Sequence, residues 1–558
     1  MTEYTPVVSG GVTVTARDPV RQHARRVMGR LWIDQVPVRL ASEDCTLWPS
    51  AAAAEAEGRA LCWPGQPGAA RALLGRVAQL RARAHNAGLT EVALLGGGPP
   101  ARAADVIVRR WLAEREPPGR PPEGGGPLTV FDSADPGPVA RLAADRGRLG
   151  RTLVVATGDD PGTDALCGAF TALFGELGLS AAETARRFVT VAPAGSRSAK
   201  LAAEAGHAVV EAPSPTVFGA LSPYALVPAG LAGADVAAVL DAATAVLPAL
   251  TRPENNPGLV LGAILGGTAR AGRGTVVLGG YSAAPQELAD WIAPMLAGAT
   301  HGRLLPVVQH GGLPVLPDDD LFLVTMDGRP RQDDVTVSGP LAAQLVVWEY
   351  AAAVAGHLLG EDPLARPADP DPADPDPADP DPAEPDPAEP DPADEPVFVD
   401  GHGDAAVAAH TADPDLAACA DLPALLDALA WRVADDGHLA IVAFCDPDPR
   451  RGQGAQVRRL AGLLAARTSR PVTVTWGRRL PATGNDRRER GVYLMLTGNA
   501  ARDVPVAGRH RGLGAAQSAR ASAVARAARR GGRPVVRLHL QDRRSGLARL
   551  LELARGGA

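Results

Sequence analysis

The chain has 558 residues, of which 46% are hydrophobic and 4% aromatic. This length allows two to four domains with large cores. The five cysteines form no CxxC pair, which argues against a disulfide framework or a structural zinc site and suits a reducing cytosol. The sequence shows no signal peptide and no uncharged stretch of 18 apolar residues, so we expect a cytoplasmic protein that does not cross a membrane.

Short β-branched runs alternate with helical patterns over the first two thirds of the chain. The predicted strands are 91–98, 128–133, 151–157, 187–193, 207–213, 274–280, 302–309 and 320–328. A long helix is predicted over 341–360. This alternation is typical of parallel sheets covered by helices.

An acidic repeat interrupts this pattern. The unit Ala-Asp/Glu-Pro-Asp-Pro runs five times from Ala368 to Pro392 and continues to Pro396. Proline at this density excludes helix and sheet, and the like charges repel, so we predict a disordered, extended linker over 367–396. The repeat holds twelve acids and no base, so removing it from the net charge of −7 leaves about +5 for the rest. It serves either as a solvated spacer or as a docking site for a basic protein partner.

After the repeat the strand and helix alternation resumes. Strands are predicted at 438–446, 471–477, 491–498 and 534–540. Two or three doubly wound α/β modules therefore account for the chain apart from an N-terminal arm, residues 1–65. The mild positive charge outside the repeat shows no clustered basic stripe, so we do not expect nucleic-acid binding.

Several segments resemble, in sequence and in order, the glucose-6-phosphate isomerase family in the form also found fused to transaldolase. They are RLASEDCTLWP (39–49), LTVFDSADP (128–136), SPYALVPAGLAGADV (222–236), NPGLVLGAILGGTARAGRGTVVL (256–278), WEYAAAVAGHLLGEDPLARP (348–367) and GVYLMLTGNAARDVPVAGR (491–509). The resemblance implies an α/β fold of two sugar-isomerase (SIS) type sandwiches, forming a homodimer. The implied domains are 66–212, 213–366 and a C-terminal part, 397–558, that completes the second sandwich.

The resemblance also implies a site for a sugar phosphate, without a cofactor or a metal, but the four family side chains that do the chemistry are replaced. In the family, a Glu moves a proton between C1 and C2 of the sugar, an Arg stabilises the enediolate, and His and Lys assist ring opening. Such proton transfer needs a group with a lone pair and a tunable pKa. Aligned with the family's Arg, Glu, Lys and His are Val217, Gly298, Ala373 and Pro481.

The two phosphate-binding loops of the family are altered as well. The first reads Gly97-Gly98-Pro99-Pro100-Ala101, and a proline has no N–H to offer to a phosphate. In the second, Asp159 and Asp160 precede Pro161, which predicts that Asp160 caps a helix where the phosphate would bind. The remnants of the family pocket, as candidate substrate-binding residues, are Gly97, Gly98, Thr157, Thr216, Thr300, Thr483 and Gly484.

Replacement catalysts have few candidates. His301 and His310 flank the position of the missing Glu and are weak candidates, since such histidines more often lie at the surface or in packing. The single lysine, Lys200, is expected to open a helix. Asp159 with Asp160 lacks a third ligand for a metal, and Gly96-Gly97-Gly98 does not complete a nucleotide-binding motif.

Two functional hypotheses follow from these replacements. Either the chain is a glucose-6-phosphate isomerase homologue with little or no catalysis, kept for binding or regulating a central-carbon enzyme, or it isomerises a sugar phosphate with a different residue set. A weaker third possibility is an uncharged or cationic ligand in the remodelled cleft.

Overall fold

The computed structural model describes residues 5–56, 61, 65–115, 126–158, 160–279, 286–309, 320–326, 334–365, 395–433, 437–477 and 491–556. The strands are β1 (Thr5–Ser9), β2 (Val12–Ala16), β3 (Glu91–Leu95), β4 (Leu128–Phe131), β5 (Thr152–Thr157), β6 (Phe188–Ala192), β7 (Ala208–Glu211), β8 (Thr275–Leu278), β9 (Leu305–Val308), β10 (Leu321–Met326), β11 (Val335–Ser338), β12 (Phe398–Asp400), β13 (Val407–Thr411), β14 (His438–Ala443), β15 (Val472–Trp476), β16 (Gly491–Gly498) and β17 (Val535–Leu540).

Helices fill most of the intervening chain. They are α1 (Val20–Ile33), α2 (Val36–Ala41), α3 (Ala51–Ala56), α4 (Gln66–Asn86), α5 (Pro99–Ala113), α6 (Pro136–Ala144), α7 (Arg146–Gly150), α8 (Pro161–Glu176), α9 (Ala181–Ala185), α10 (Arg197–Glu204), α11 (Pro223–Leu231), α12 (Val236–Leu250), α13 (Pro257–Arg270), α14 (Gln286–Ala299), α15 (Leu341–Leu359), α16 (Pro414–Ala417), α17 (Leu422–Arg432), α18 (Gly454–Thr468), α19 (Leu513–Arg530) and α20 (Arg543–Gly556).

The first sheet has five strands in the order β4-β3-β5-β6-β7, all parallel. Strand β5, TLVVAT, is buried along its whole length, as expected for a strand with helices on both faces. The predicted α/β class, with mostly parallel sheets covered by helices, is confirmed.

The second sheet has six strands in the order β1-β2-β11-β10-β8-β9. Strands β8 to β11 are parallel to one another, and the β1–β2 hairpin joins them because β2 pairs antiparallel with β11, with Val14 opposite Val337. Residues 1–65 were predicted to be an arm outside the modules, yet the described start of the chain supplies two strands of this sheet. The alternation of VTVTA, close after the β-branched residues of TPVVS, is the signal for these strands.

The third sheet, in the order β12-β13-β17-β16-β14-β15, lies wholly in the C-terminal part and has its own apolar core. We expected residues 397–558 to complete the second sandwich, but their strands pair with one another, so the described chain has three sheets rather than two. The edge strand β9 of the second sheet contacts the edge strand β15 of the third sheet, but the two strands are not hydrogen-bonded into one sheet. The domain boundaries stay predictions.

Helix α15 lies in the centre of the largest core. It packs mainly on α13, where a Cβ at Gly262 would lie 2.5 Å from the Cβ of Val354, so only glycine allows this approach. Among the described helices, α15 is long and apolar enough to cross a membrane, but 89% of its most apolar stretch is buried inside the protein. Its composition is that of a core helix.

A buried ion pair connects the C-terminal part with the start of α6, the helix that follows β4 of the first sheet. Asp135, at the start of α6, is fully buried and accepts a hydrogen bond of 2.6 Å from Nη1 of Arg543, at the start of α20. Nε2 of Gln517 donates to the same carboxylate oxygen at 2.7 Å, and Nη2 of Arg543 donates to Oε1 of Gln517 at 2.8 Å. Asp135, Arg543 and Gln517 are all hydrogen-bonded to one another, so the two opposite charges compensate each other in the protein interior.

Candidate active site

The turn that follows β7 is hydrogen-bonded to a buried carboxyl group. Glu349 lies in the middle of α15, and its Oε1 accepts hydrogen bonds from the backbone N–H groups of Gly219 and Ala220, at 2.7 and 2.8 Å. The hydroxyl of Thr216 closes the turn by donating to the carbonyl of Phe218 at 3.1 Å. The turn therefore has a fixed shape, set by α15.

Glu349 is an acidic side chain in the interior of the protein, and its pKa is shifted. It is fully buried, and burial raises the pKa of its carboxyl from 4.5 to about 7, against the opposing effect of the two backbone hydrogen bonds. Its Oε2 has no hydrogen-bond partner among the described residues. We did not predict this residue; the signal was a single acid in the largely apolar run LAAQLVVWEYAAAVAGHLL.

The positions aligned with the family's Arg and Glu are brought together by the fold. Gly298, near the end of α14, faces Val217 so closely that a Cβ at 298 would lie 2.8 Å from Cγ1 of Val217. This distance is shorter than the contacts that Cβ atoms make in proteins, so the Val217 side chain occupies the space that a side chain at position 298 would need. An isopropyl group can neither accept a proton nor stabilise an enediolate.

The start of α5 leaves little room for a phosphate. Gly98 is the N-cap residue, with φ of 90° and no side-chain cap, and Pro99 and Pro100 occupy the first helical positions. Two of the N–H groups that a helix start usually offers to an anion are therefore missing. The Pro100 ring packs against the turn, since a Cβ at Gly219 would lie 2.9 Å from its Cγ.

The start of α8 is occupied by a carboxylate, as the sequence predicted. Asp160 is the N-cap residue and accepts hydrogen bonds from the N–H groups of Gly162 and Thr163, at 3.1 and 3.2 Å, and from the Thr163 hydroxyl at 2.7 Å. These are the donors that would meet a phosphate at this helix start. A phosphate about 4 Å from the carboxylate would cost about 4 kcal/mol at an effective dielectric constant near 20.

The remaining described candidates use their polar groups internally. The Thr157 hydroxyl donates to the carbonyl of Leu95 at 3.3 Å, and the buried Thr300 hydroxyl donates to the carbonyl of Leu296 at 2.8 Å. Nδ1 of His301 lies 3.2 Å from a carboxylate oxygen of Glu361, within hydrogen-bond distance.

Several predicted positions fall outside the described residues. They are Asp159, His310, Ala373, Pro481, Thr483 and Gly484. Of the described candidates, Gly98, Thr216, Val217 and Gly298 lie on the turn or on the helices α5 and α14 that contact it.

A shallow pocket lies beside the turn that follows β7, and it does not enclose room for a water molecule. It is lined by Pro213, Ser214, Pro215, Thr216, Phe218, Ser222 and Tyr224. Within the described ranges no cluster of three metal-binding side chains occurs. In the part of the chain that the structure describes, this pocket offers no positive charge to an anion.

Comparison with known proteins gives a set of distant structural likenesses. The chain is similar to a glucose-6-phosphate isomerase from Chlamydia trachomatis, with 13% identity, a TM-score of 0.44, and coverage of 65% of this chain and 86% of that one. It is similar to a hypothetical protein from Thermus thermophilus, with 16% identity, a TM-score of 0.43, and coverage of 62% and 91%.

A third likeness is to the C-terminal domain of a glucosamine-fructose-6-phosphate aminotransferase from Francisella tularensis. The identity is 13%, the TM-score 0.30, and the coverage 53% of this chain and 93% of that one. No protein-family profile and no curated protein matches the sequence. Solved structures similar to this chain thus include proteins that act on sugar phosphates, but at these scores the likenesses decide nothing about its activity.

Proposed function

We propose that this chain is a homologue of glucose-6-phosphate isomerase that does not interconvert glucose 6-phosphate and fructose 6-phosphate. Instead of catalysing this reaction, we propose, the chain forms a homodimer and binds a central-carbon enzyme. The observation that carries the proposal is the contact between Val217 and Gly298. Two positions that must hold an Arg and a Glu for the family reaction here pack against each other without a polar group.

The capped start of α8 supports the same proposal independently. A site for a sugar phosphate needs donors for the phosphate oxygens, and the Asp160 carboxylate takes those of Gly162 and Thr163. An approaching phosphate would meet a like charge instead of free N–H groups. Loss of the catalytic groups and loss of phosphate binding therefore go together.

Ligand-dependent stabilisation tests this proposal. Thermal unfolding is followed with and without millimolar fructose 6-phosphate and inorganic phosphate, for the natural chain, for Asp160→Gly and for the matched control Asp235→Gly. Asp235 caps α12 by accepting from the N–H of Ala238 at 3.0 Å, so both variants lose a cap, at a cost of a few tenths of a kcal/mol.

We expect no ligand-dependent shift for the natural chain or for the Asp235 variant. Asp160→Gly frees the start of α8, and we expect phosphate to raise the unfolding temperature of this variant. With phosphate at ten times its Kd, the free energy of unfolding should increase by about 1.4 kcal/mol. A clear shift of the natural chain with fructose 6-phosphate would contradict the proposal, since a bound ligand must stabilise the folded state.

A further inference from the structure

The last turn of α1 presents two large apolar side chains to solvent. Ile33 is 82% exposed and Trp32 is 50% exposed. The indole N–H of Trp32 donates to the carbonyl of Pro253 at 3.3 Å, which holds the ring at the surface. The opposite side of α1 is buried, and α1 packs on α13. Both side chains therefore lie on the outer face of a helix that is anchored in the core.

An exposed glycine lies beside these side chains on the same face. At about 100° per residue, Gly29, Trp32 and Ile33 fall within about 100° of the helix surface. Apart from α1 itself, no described atom lies within 4 Å of the position that a Cβ at Gly29 would take. Glycine destabilises a helix relative to alanine, and at Gly262 of α13 the close approach of Val354 requires it. No such packing within the described chain accounts for Gly29.

A projection and a recess on one face allow the face to pair with a copy of itself. An isologous contact about a twofold axis requires this self-complementarity. If two α1 helices lie antiparallel, with the axis midway between positions 29 and 33, Ile33 of each copy meets Gly29 of the other. Without a Cβ at Gly29, the two helices can approach closely.

The charge on the same face also favours the antiparallel arrangement. Arg26 is exposed and lies on this face, about 60° from Gly29 around the helix. Parallel helices in register would place Arg26 of one copy opposite Arg26 of the other. In the antiparallel arrangement the two arginines lie about 15 Å apart along the helix axis, beyond the distance of about 10 Å over which exposed charges interact at ordinary ionic strength.

We propose that the outer face of α1, formed by Gly29, Trp32 and Ile33, is the contact surface of the homodimer, with α1 of one copy antiparallel to α1 of the other. This placement rests on the homodimer proposed above. Burial of an apolar side chain favours association in proportion to the area that leaves water. Tryptophan is enriched among the residues that contribute most to binding at interfaces, and here both copies supply one.

Sedimentation velocity at several protein concentrations tests the placement on the full chain. The natural chain is compared with Ile33→Arg, with Gly29→Gln, and with the matched control Trp431→Arg. Trp431 is 89% exposed, on α17, so the control also introduces an arginine in place of an exposed apolar side chain. Thermal unfolding verifies that each variant is folded, and Gly29→Gln should be at least as stable as the natural chain because glutamine is the better helix former.

We expect the natural chain and the Trp431 control to be dimers with the same Kd. Ile33→Arg should raise the Kd at least about 100-fold, because the twofold axis makes each substitution act twice, and Gly29→Gln at least about tenfold. Dimers of unchanged Kd in both α1 variants would overturn this placement and leave the homodimer standing.

A monomeric natural chain would overturn both the homodimer and this placement. Co-sedimentation of that monomer with phosphatidylglycerol vesicles, lost in Ile33→Arg, would assign the face to a membrane surface instead. Neither outcome bears on the loss of the isomerase reaction, which turnover measures separately.

Discussion

The carboxyl group of Glu349 gives the turn at 216–220 a pH dependence that one substitution should remove. Its folded-state pKa of about 7, against 4.5 for an unperturbed carboxyl, corresponds to about 3 kcal/mol of differential stability. Below pH 4.5 the group is protonated in both states. Between pH 4.5 and about 7 the unfolded chain releases the proton while the folded chain keeps it, so the free energy of unfolding falls as the pH rises.

Glu349→Gln keeps an oxygen that accepts from Gly219 and Ala220 and cannot ionise. We therefore expect the difference in free energy of unfolding, variant minus natural chain, to rise by about 3 kcal/mol between pH 4.5 and pH 7.5. Urea unfolding at several pH values measures it. Because a chain with several cores need not unfold in one step, hydrogen exchange of the 216–231 segment gives the local readout.

The exposed glutamate Glu254 provides a matched control, since Glu254→Gln makes the same chemical change outside the core. The control is expected to leave the pH profile of the natural chain unchanged. A difference between Glu349→Gln and the natural chain that stays constant from pH 4.5 to pH 7.5 would refute the reasoning, because it would place the folded-state pKa near the ordinary value.

Three further predictions concern packing, a buried charge and anion binding at a helix start. Gly298→Ala should lower the free energy of unfolding by about 1–3 kcal/mol because the added methyl group overfills the contact with Val217. Adding Val217→Ala to the same chain should recover most of that loss. Additive effects of the two substitutions in a double-mutant cycle would contradict the contact. Arg543→Ala should cost about 3–5 kcal/mol in urea unfolding because it leaves the carboxylate of Asp135 buried without its cation, and a loss within about 0.5 kcal/mol would show that water reaches the pair. Asp160→Gly should allow inorganic phosphate to bind at the start of α8. A calorimetric titration with inorganic phosphate measures this binding, and an absence of binding heat would contradict the prediction.

Much of the fold could be predicted because local patterns and global packing agree. The runs at 151–157 and 491–498 are centred on apolar stretches, LVVA and VYLML, and both are strands buried on two faces. The helix predicted over 341–360 is α15, buried along nearly its whole length. The pairing of strands could not be predicted in the same way, because pairing depends on contacts far apart in the chain, such as that of β2 with β11.

The candidate site was predictable where one residue decides the local structure. Asp160 followed by Pro161 indicates a helix cap, and the structure has that cap. The contact of Val217 with Gly298 was not predictable from spacing, because 81 residues separate the two and the fold alone brings them together. Glu349 was missed because an acid in an apolar helix can equally lie at a helix surface, and only the packing shows that it faces the turn.

The central claim is that the family reaction has been lost, and a turnover measurement tests it most directly. The purified natural chain, prepared from a host without its own glucose-6-phosphate isomerase, is assayed for formation of glucose 6-phosphate from fructose 6-phosphate. We predict no turnover above the background of a preparation lacking the chain. A rate of about 1 s⁻¹ or more, within the ordinary range of enzymes, would contradict the proposal and show that another residue set performs the isomerisation.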